Sequence, residues 1–188
     1  MEIRVRDTTL FFDVEGAKLF PDGPRMREKP TLLLLHGGPG FDHTGFNPAF
    51  SELAADAQVV YLDHRGNGRS AGHDDPSRWT LAEWGDDVRA FCEALGIERP
   101  VVLGQSFGGG EDGRFDLLAD LAKVRCPTLV LGGEDDPITP IEDAADIAAA
   151  IPERYVRFAR FPGCRHGVFR DDRPAAFAEI RRFLAEPA

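Results

Sequence analysis

The sequence predicts an α/β fold, a doubly wound and mostly parallel sheet with helices on its faces. Three observations predict it. Short apolar runs without alternation, at Thr31–Leu35, Gln58–Leu62, Val101–Gly104 and Thr128–Leu131, suit strands buried on both faces of a parallel sheet. Helical patterns fall between most of them, and strand–loop–helix repeats of this length specify crossover-linked parallel strands. Each run also ends in a glycine-rich or charged cluster, at the carboxyl end where such sheets bind ligands.

The elements follow in order. Residues 1–15 read as an antiparallel pair, Glu2–Arg6 and Leu10–Val14, joined by a polar turn at Asp7-Thr8. Residues 16–30 carry glycine, proline and charge, and read as a loop. The strand Thr31–Leu35 ends in His36-Gly37-Gly38-Pro39-Gly40. A helix is expected near Pro48–Ala55, before a strand at Gln58–Leu62 that runs into Asp63-His64-Arg65-Gly66-Asn67-Gly68-Arg69-Ser70.

Thr80 is suited to cap the next helix, and Glu83 three residues on completes a capping box. Its apolar face comprises Leu81, Trp84, Val88, Phe91 and Leu95, and Gly96 stops it. After the strand at 101–104 and a glycine-rich link, Phe115–Val124 reads as helical. Thr128–Leu131 ends at Gly132-Gly133-Glu134-Asp135-Asp136-Pro137. Pro140 opens a helix to Ile151, a strand spans Tyr155–Phe161, and Pro162–Gly167 is a loop. A last amphipathic helix runs from Arg173 to Ala185.

At 188 residues the chain fits one domain, 1–188, large enough to bury a core. With 22 basic against 32 acidic side chains, its net charge of −10 argues against nucleic acid and anionic membranes, which need a basic footprint. Cys92, Cys126 and Cys164 are far apart and lack Cys-x-x-Cys spacing, as expected of free thiols in a reducing compartment. The stretch MEIRVRDTTL has no apolar segment of signal-peptide type, so the expected location is the cytoplasm.

The chemistry converges on Gly104-Gln105-Ser106-Phe107-Gly108, a G-x-S-x-G directly after a strand. A serine at a tight strand-to-helix turn needs small neighbours, and glycines two before and two after it remove clashing Cβ atoms. Serine is a poor nucleophile near neutral pH without a base. Histidine is the usual base, and a carboxylate orients its ring. The chain supplies Ser106, then Asp136, then His166, each just beyond a predicted strand. His36 and His64 precede the serine, and His73-Asp74-Asp75 reads as solvated turn chemistry, so no metal or other cofactor is expected.

Acyl transfer also needs two N–H donors for the developing oxyanion. The backbone of Phe107 is one candidate, and the glycine loop at 37–40 is the expected source of the other. No Lys-Ser or Lys-Thr follows these glycines, which excludes a phosphate loop.

HGGPG at 36–40, DHRGNGRS at 63–70, GQSFGG at 104–109, GGEDDPITP at 132–140 and GCRHG at 163–167 together resemble the proline iminopeptidase branch of the α/β-hydrolases. The resemblance implies Ser106 as nucleophile, Asp136 as the acid member and His166 as the base. Gly38 and Phe107 are then the oxyanion donors, with Gly37 the fallback and Gly37 and Pro39 at the substrate. Arg165 stands where the family usually has glycine. The larger departure lies between Ser106 and Asp136, where family members carry a helix, a core strand and a helical cap. Here Gly108-Gly109-Gly110 leads directly to Glu111–Leu117, so the cap expected between about 109 and 114 is absent from the sequence.

In the family, the cap shapes the pocket and carries acidic residues that recognise a free N-terminal amine. The helix after the serine steadies the turn and lends its N-terminal dipole. Residues 114–123 are the candidate substitute for that helix. The expected substrate is therefore a short peptide or a small-molecule ester. The alternatives are a general carboxylesterase with an open site, or a non-catalytic remnant of the fold. The surface left by the missing elements is where a homodimer would form.

Overall fold

A computed structural model of the chain describes residues 1–105 and 121–186. The chain forms two compact units, Met1–Phe107 and Gly108–Ala188.

In the first unit, β1 (Glu2–Val5) and β2 (Thr8–Glu15) are the antiparallel pair. β3 (Leu19–Asp22) and β4 (Arg25–Glu28) form a separate hairpin where the sequence predicted only loop. Its side chains are mostly exposed, so it carries no buried alternation to betray it, and its signal is the two-residue turn Gly23-Pro24. β5 (Thr31–Leu35), β6 (Gln58–Leu62) and β7 (Val101–Gly104) complete a sheet of order β1-β2-β6-β5-β7. β6 and β7 run parallel to β5 on its two sides, and β2 is antiparallel to β6. The chain thus leaves β5 for one neighbour and later returns to the other, which makes the carboxyl end of β5 a topological switch point.

Alternation along β5 and β6 divides their side chains between two buried faces. Leu33, Val60 and Leu62 join Val5, Leu10, Phe12 and Phe91 in one core cluster. Leu32, Leu34, Val59 and Tyr61, pointing the other way, are equally buried. The helix expected near Pro48–Ala55 is a 3-10 helix over Ala49–Ala55, which buries Phe50 and Leu53.

Helix α1 (Leu81–Leu95) begins as predicted, with Thr80 Oγ accepting the Glu83 N–H at 3.2 Å. It ends at Gly96 in the left-handed conformation. The capping box is replaced on its other side, because the Glu83 carboxylate takes hydrogen bonds from Arg6 and Arg78. The buried face also differs from the apolar stripe: Leu95 is exposed at the helix end, and Asp87 is buried beside Trp84 and Phe91.

In the second unit, β8 (Thr128–Gly133) and β9 (Val156–Phe161) are a parallel pair in register from Thr128↔Val156 to Gly133↔Phe161. Helix α2 (Ile141–Ala150) packs on both strands, and a one-turn helix α3 (Val168–Asp171) leads into α4 (Arg173–Ala185). Ile141, Ala148, Phe161, Phe169, Phe177 and Ile180 form the buried apolar set between these layers. Asp172 caps α4 by accepting the Ala175 N–H, with Pro174 in the first turn.

Candidate active site

The second unit brings two of the sequence-predicted residues together. The loops after β8 and β9 run side by side, with Glu134 N–H donating to Phe161 O and Asp135 N–H donating to Cys164 O. Gly133 permits this approach: a Cβ there would lie 2.4 Å from the Arg165 carbonyl oxygen and 2.5 Å from that of Cys164. The result places His166 Nδ1 2.9 Å from Asp136 Oδ2.

Asp136 is held in place by its own loop. Its Oδ1 accepts the N–H groups of Ile138 at 2.8 Å and Thr139 at 3.1 Å, and Thr139 Oγ donates to Oδ2 at 2.7 Å. Burial works against the carboxylate charge, but these bonds and the one to His166 outweigh it and hold the carboxyl below its ordinary range. A proton on Nδ1 would face the Asp136 carboxylate. Thr139 Oγ lies 3.2 Å from the same Nδ1, so Asp136 and Thr139 both bear on the orientation of the ring.

The first unit holds the glycine loop. Gln105, the residue before Ser106, donates its N–H to Leu35 O at 3.2 Å, so the end of β7 runs beside the start of that loop. His36 is buried and makes two bonds: Nε2 accepts the His64 N–H at 3.1 Å, and Nδ1 lies 2.6 Å from Gly37 O. An accepting Nε2 leaves the proton on Nδ1, so His36 is a neutral ring that donates to Gly37. Burial lowers its pKa, in keeping with that state. His64 stacks on Trp84, and its pKa falls to about 3, first through burial and then through its neighbour His36. Both rings are thus buried and held by their neighbours.

The loop after β6 grips the same glycine loop. Asn67 Oδ1 accepts the Gly40 N–H at 2.6 Å while its Nδ2 donates to Arg65 O at 2.9 Å. Asp63, fully buried, accepts from the backbone and Nδ1 of His43, each at 2.8 Å, and from the Arg69 N–H at 2.9 Å. Gly38 has φ +140°, a value that favours glycine, and Pro39 lacks an N–H. Because Asn67 takes the Gly40 donor, the N–H groups of Gly37 and Gly38 remain as the loop's candidate donors.

Ser106 and Phe107 lie outside the described residues, as do the glycines at 108–110 and residues 111–120. Of the predicted site, Gly37, Gly38 and Pro39 sit in the first unit and Asp136 and His166 in the second. Sequence reasoning missed Thr139, Asn67 and the His43–Asp63 contact. The Asp-x-x-Thr spacing was the available signal for Thr139, since such a hydroxyl can reach back to a turn carboxylate. Among the described residues, no group of three or more His, Cys, Asp or Glu side chains is arranged to hold a metal. No helix among them is long and apolar enough to cross a membrane.

Comparison with known proteins agrees with this architecture. Residues 30–111 match the alpha/beta hydrolase fold family, and residues 112–173 match the family of serine aminopeptidases, S33. Proline iminopeptidase of Lactiplantibacillus plantarum is 42% identical over 89 residues, and that of Levilactobacillus brevis 44% over 80. The first match spans 46% of this chain but only 31% of the relative, and the second 42% and 26%.

Among solved structures, the proline iminopeptidase of Mycobacterium smegmatis superimposes with a TM-score of 0.83 at 19% identity, covering 98% of this chain and 97% of that one. Esterase RhEst1 from a Rhodococcus species gives 0.82 at 19%, covering 100% and 99%. At such identities these structures share the fold alone. Sequence matches and fold together show the α/β-hydrolase fold, with sequence similarity to proline iminopeptidases over somewhat less than half of this chain.

Proposed function

We propose that the chain is a serine hydrolase that cleaves an acyl bond through Ser106, His166 and Asp136, acting as a proline iminopeptidase on peptides with N-terminal proline. The observation that carries the reading is the His166–Asp136 pair, oriented by Thr139, at the ends of neighbouring strands. Ser106 Oγ attacks the carbonyl carbon while His166 Nε2 takes its proton, and Gly38 and Phe107 N–H groups receive the oxyanion. The intermediate collapses, the C–N bond breaks, and the leaving amine takes the proton from His166. Water then enters by the same route, giving up its proton to His166, and releases the acid and free Ser106.

A second reading, a carboxylesterase with an open site, is favoured by one feature. The interval between Ser106 and Asp136 has no room for the cap that supplies amine recognition in the family. An ester needs no such recognition, and its alcohol leaves more easily than an amine.

Labelling with a fluorophosphonate tests the shared chemistry. The intact chain is expected to label, with Ser106→Ala abolishing the signal and His166→Ala strongly reducing it. An unlabelled wild type rejects both readings and leaves the non-catalytic remnant. Turnover of a proline arylamide against a short-chain aryl ester then separates peptidase from esterase.

A further inference from the structure

We infer that His36 is the positioning residue of the oxyanion hole, fixing the direction of the Gly38 N–H by holding the carbonyl of the same peptide unit. The inference rests on the serine-hydrolase reading above. It starts from an elementary property of the backbone. In a trans peptide the C=O and the N–H are rigidly coplanar and point in opposite directions. The Gly37–Gly38 peptide is trans, and its oxygen is the acceptor of the His36 Nδ1 proton at 2.6 Å. Anchoring that oxygen on the buried ring aims the Gly38 N–H away from it. Without an anchor, two adjacent glycines leave the plane free to flip, because neither φ nor ψ is restricted by a Cβ.

The ring itself is fixed. His36 is 3% exposed, and the His64 N–H donates to its Nε2 at 3.1 Å, which settles both the tautomer and the orientation. The two flanks of the glycine loop are pinned independently, Gly40 to Asn67 and His43 to Asp63. The peptide at 37–38 is thus the part of the loop that His36 holds directly. The same geometry selects Gly38 over Gly37 as the donor, since only the Gly38 N–H belongs to the anchored plane. An oxyanion donor stabilises only if it is aimed before charge develops, and losing one costs about 10²- to 10³-fold in kcat.

Two isosteric substitutions separate this role from simple packing. In His36→Asn, the side-chain N–H₂ falls where Nδ1–H was and still reaches Gly37 O, while the bond from His64 is lost. In His36→Gln, the side-chain oxygen falls where Nε2 was and still accepts from His64, while the bond to Gly37 is lost. Each variant sacrifices one buried hydrogen bond, so thermal unfolding temperatures should drop by similar amounts. Aryl-ester turnover should not respond equally. His36→Gln is expected to lower kcat about 100-fold with KM within about threefold, and His36→Asn to recover to within about tenfold of wild type.

Equal losses in both variants, or normal kcat in His36→Gln, overturn the inference while wild-type labelling at Ser106 leaves the hydrolase reading standing. An unlabelled wild type removes both. Should His36→Gln fail to fold, glycine ¹⁵N labelling of the wild type decides instead. The Gly38 amide proton is expected to move downfield when a fluorophosphonate occupies Ser106, and an unmoved signal rejects the assignment.

Discussion

Arg65 and Asp87 form a bidentate ion pair shut off from solvent, with Nε to Oδ2 and Nη2 to Oδ1 both at 2.8 Å. Their side chains are 4% and 2% exposed. Arg65 comes from the loop after β6 and Asp87 from the middle of α1, so the pair fastens the site loop to the helix that covers the sheet. Arg6 adds a further bond to Asp87 at 2.9 Å, and Asp7 one to Arg65 at 2.8 Å.

Removing Asp87 takes away the buried, bidentate partner of Arg65 and leaves its guanidinium with the exposed Asp7 and the more distant Glu83. Asp87→Ala is expected to destabilise the chain by about 3–5 kcal/mol in urea unfolding. The double variant Arg65→Met with Asp87→Leu should recover part of that loss, because it removes both charges and refills the space. If the single variant is as stable as wild type, the pair does not hold the loop.

The same pair shows what the sequence made legible. The parallel strands were readable because burial on both faces leaves unbroken apolar runs, as in Thr31–Leu35. Thr80 and Gly96 were readable because capping is local chemistry. Asp87 was not, since a carboxylate on the apolar stripe of α1 makes sense only once Arg65 arrives from 22 residues away. The β3–β4 hairpin was missed because a solvated hairpin has no buried face to pattern. At the site, motif order singled out Asp136 and His166, whose side chains meet, while the contacts of Asn67 and His36 run across loops and leave no local pattern.

Acid sensitivity should set in above the carboxylate range. His64 is buried with its pKa lowered to about 3, and that of His36 is also lowered by burial. For a lowered histidine the unfolded chain binds the proton first, so stability is full above about pH 6.5 and falls as pH drops toward the native value. His64 contributes a slope approaching about 1.4 kcal/mol per pH unit in that window, and His36 adds to it in the same direction. Urea unfolding at pH 7 and pH 5 is expected to show lower stability at pH 5. His64→Gln should flatten the dependence, and an unchanged slope in that variant would exclude His64 as its source.

Gly133→Ala should disturb catalysis from a position that has no chemistry of its own. Its Cβ would press on the carbonyl oxygens of Cys164 and Arg165, which precede His166. Overpacking of this kind typically costs about 1–3 kcal/mol, and here it would also displace His166 from Asp136. The expected outcome is a reduced unfolding temperature together with a loss of fluorophosphonate labelling greater than the unfolded fraction explains. Gly163→Ala, where no atom lies within 4 Å of the added Cβ but φ is +77°, shows by contrast what backbone strain without a clash does in the same loop region, since Gly133 itself has no positive φ.

The Asp136 carboxylate should report on Thr139. Its native pKa is depressed, so its contribution to stability is present above the unfolded value near about 4 and disappears as pH falls through the native one. Thr139→Val removes the 2.7 Å bond to Oδ2, raises the native pKa toward the unfolded one, and should move acid unfolding to higher pH. Because the same hydroxyl also lies beside His166 Nδ1, kcat is expected to fall about tenfold, the equivalent of one hydrogen bond to a charged group. Asp136→Asn goes further: an amide can present N–H₂ where Oδ2 accepted, reverse the His166 tautomer and place a proton on Nε2. Its kcat should drop by about 10⁴-fold with the fold intact. A Thr139→Val enzyme with unaltered kcat and unaltered acid unfolding would show that Asp136 and His166 are aligned by their own loops alone.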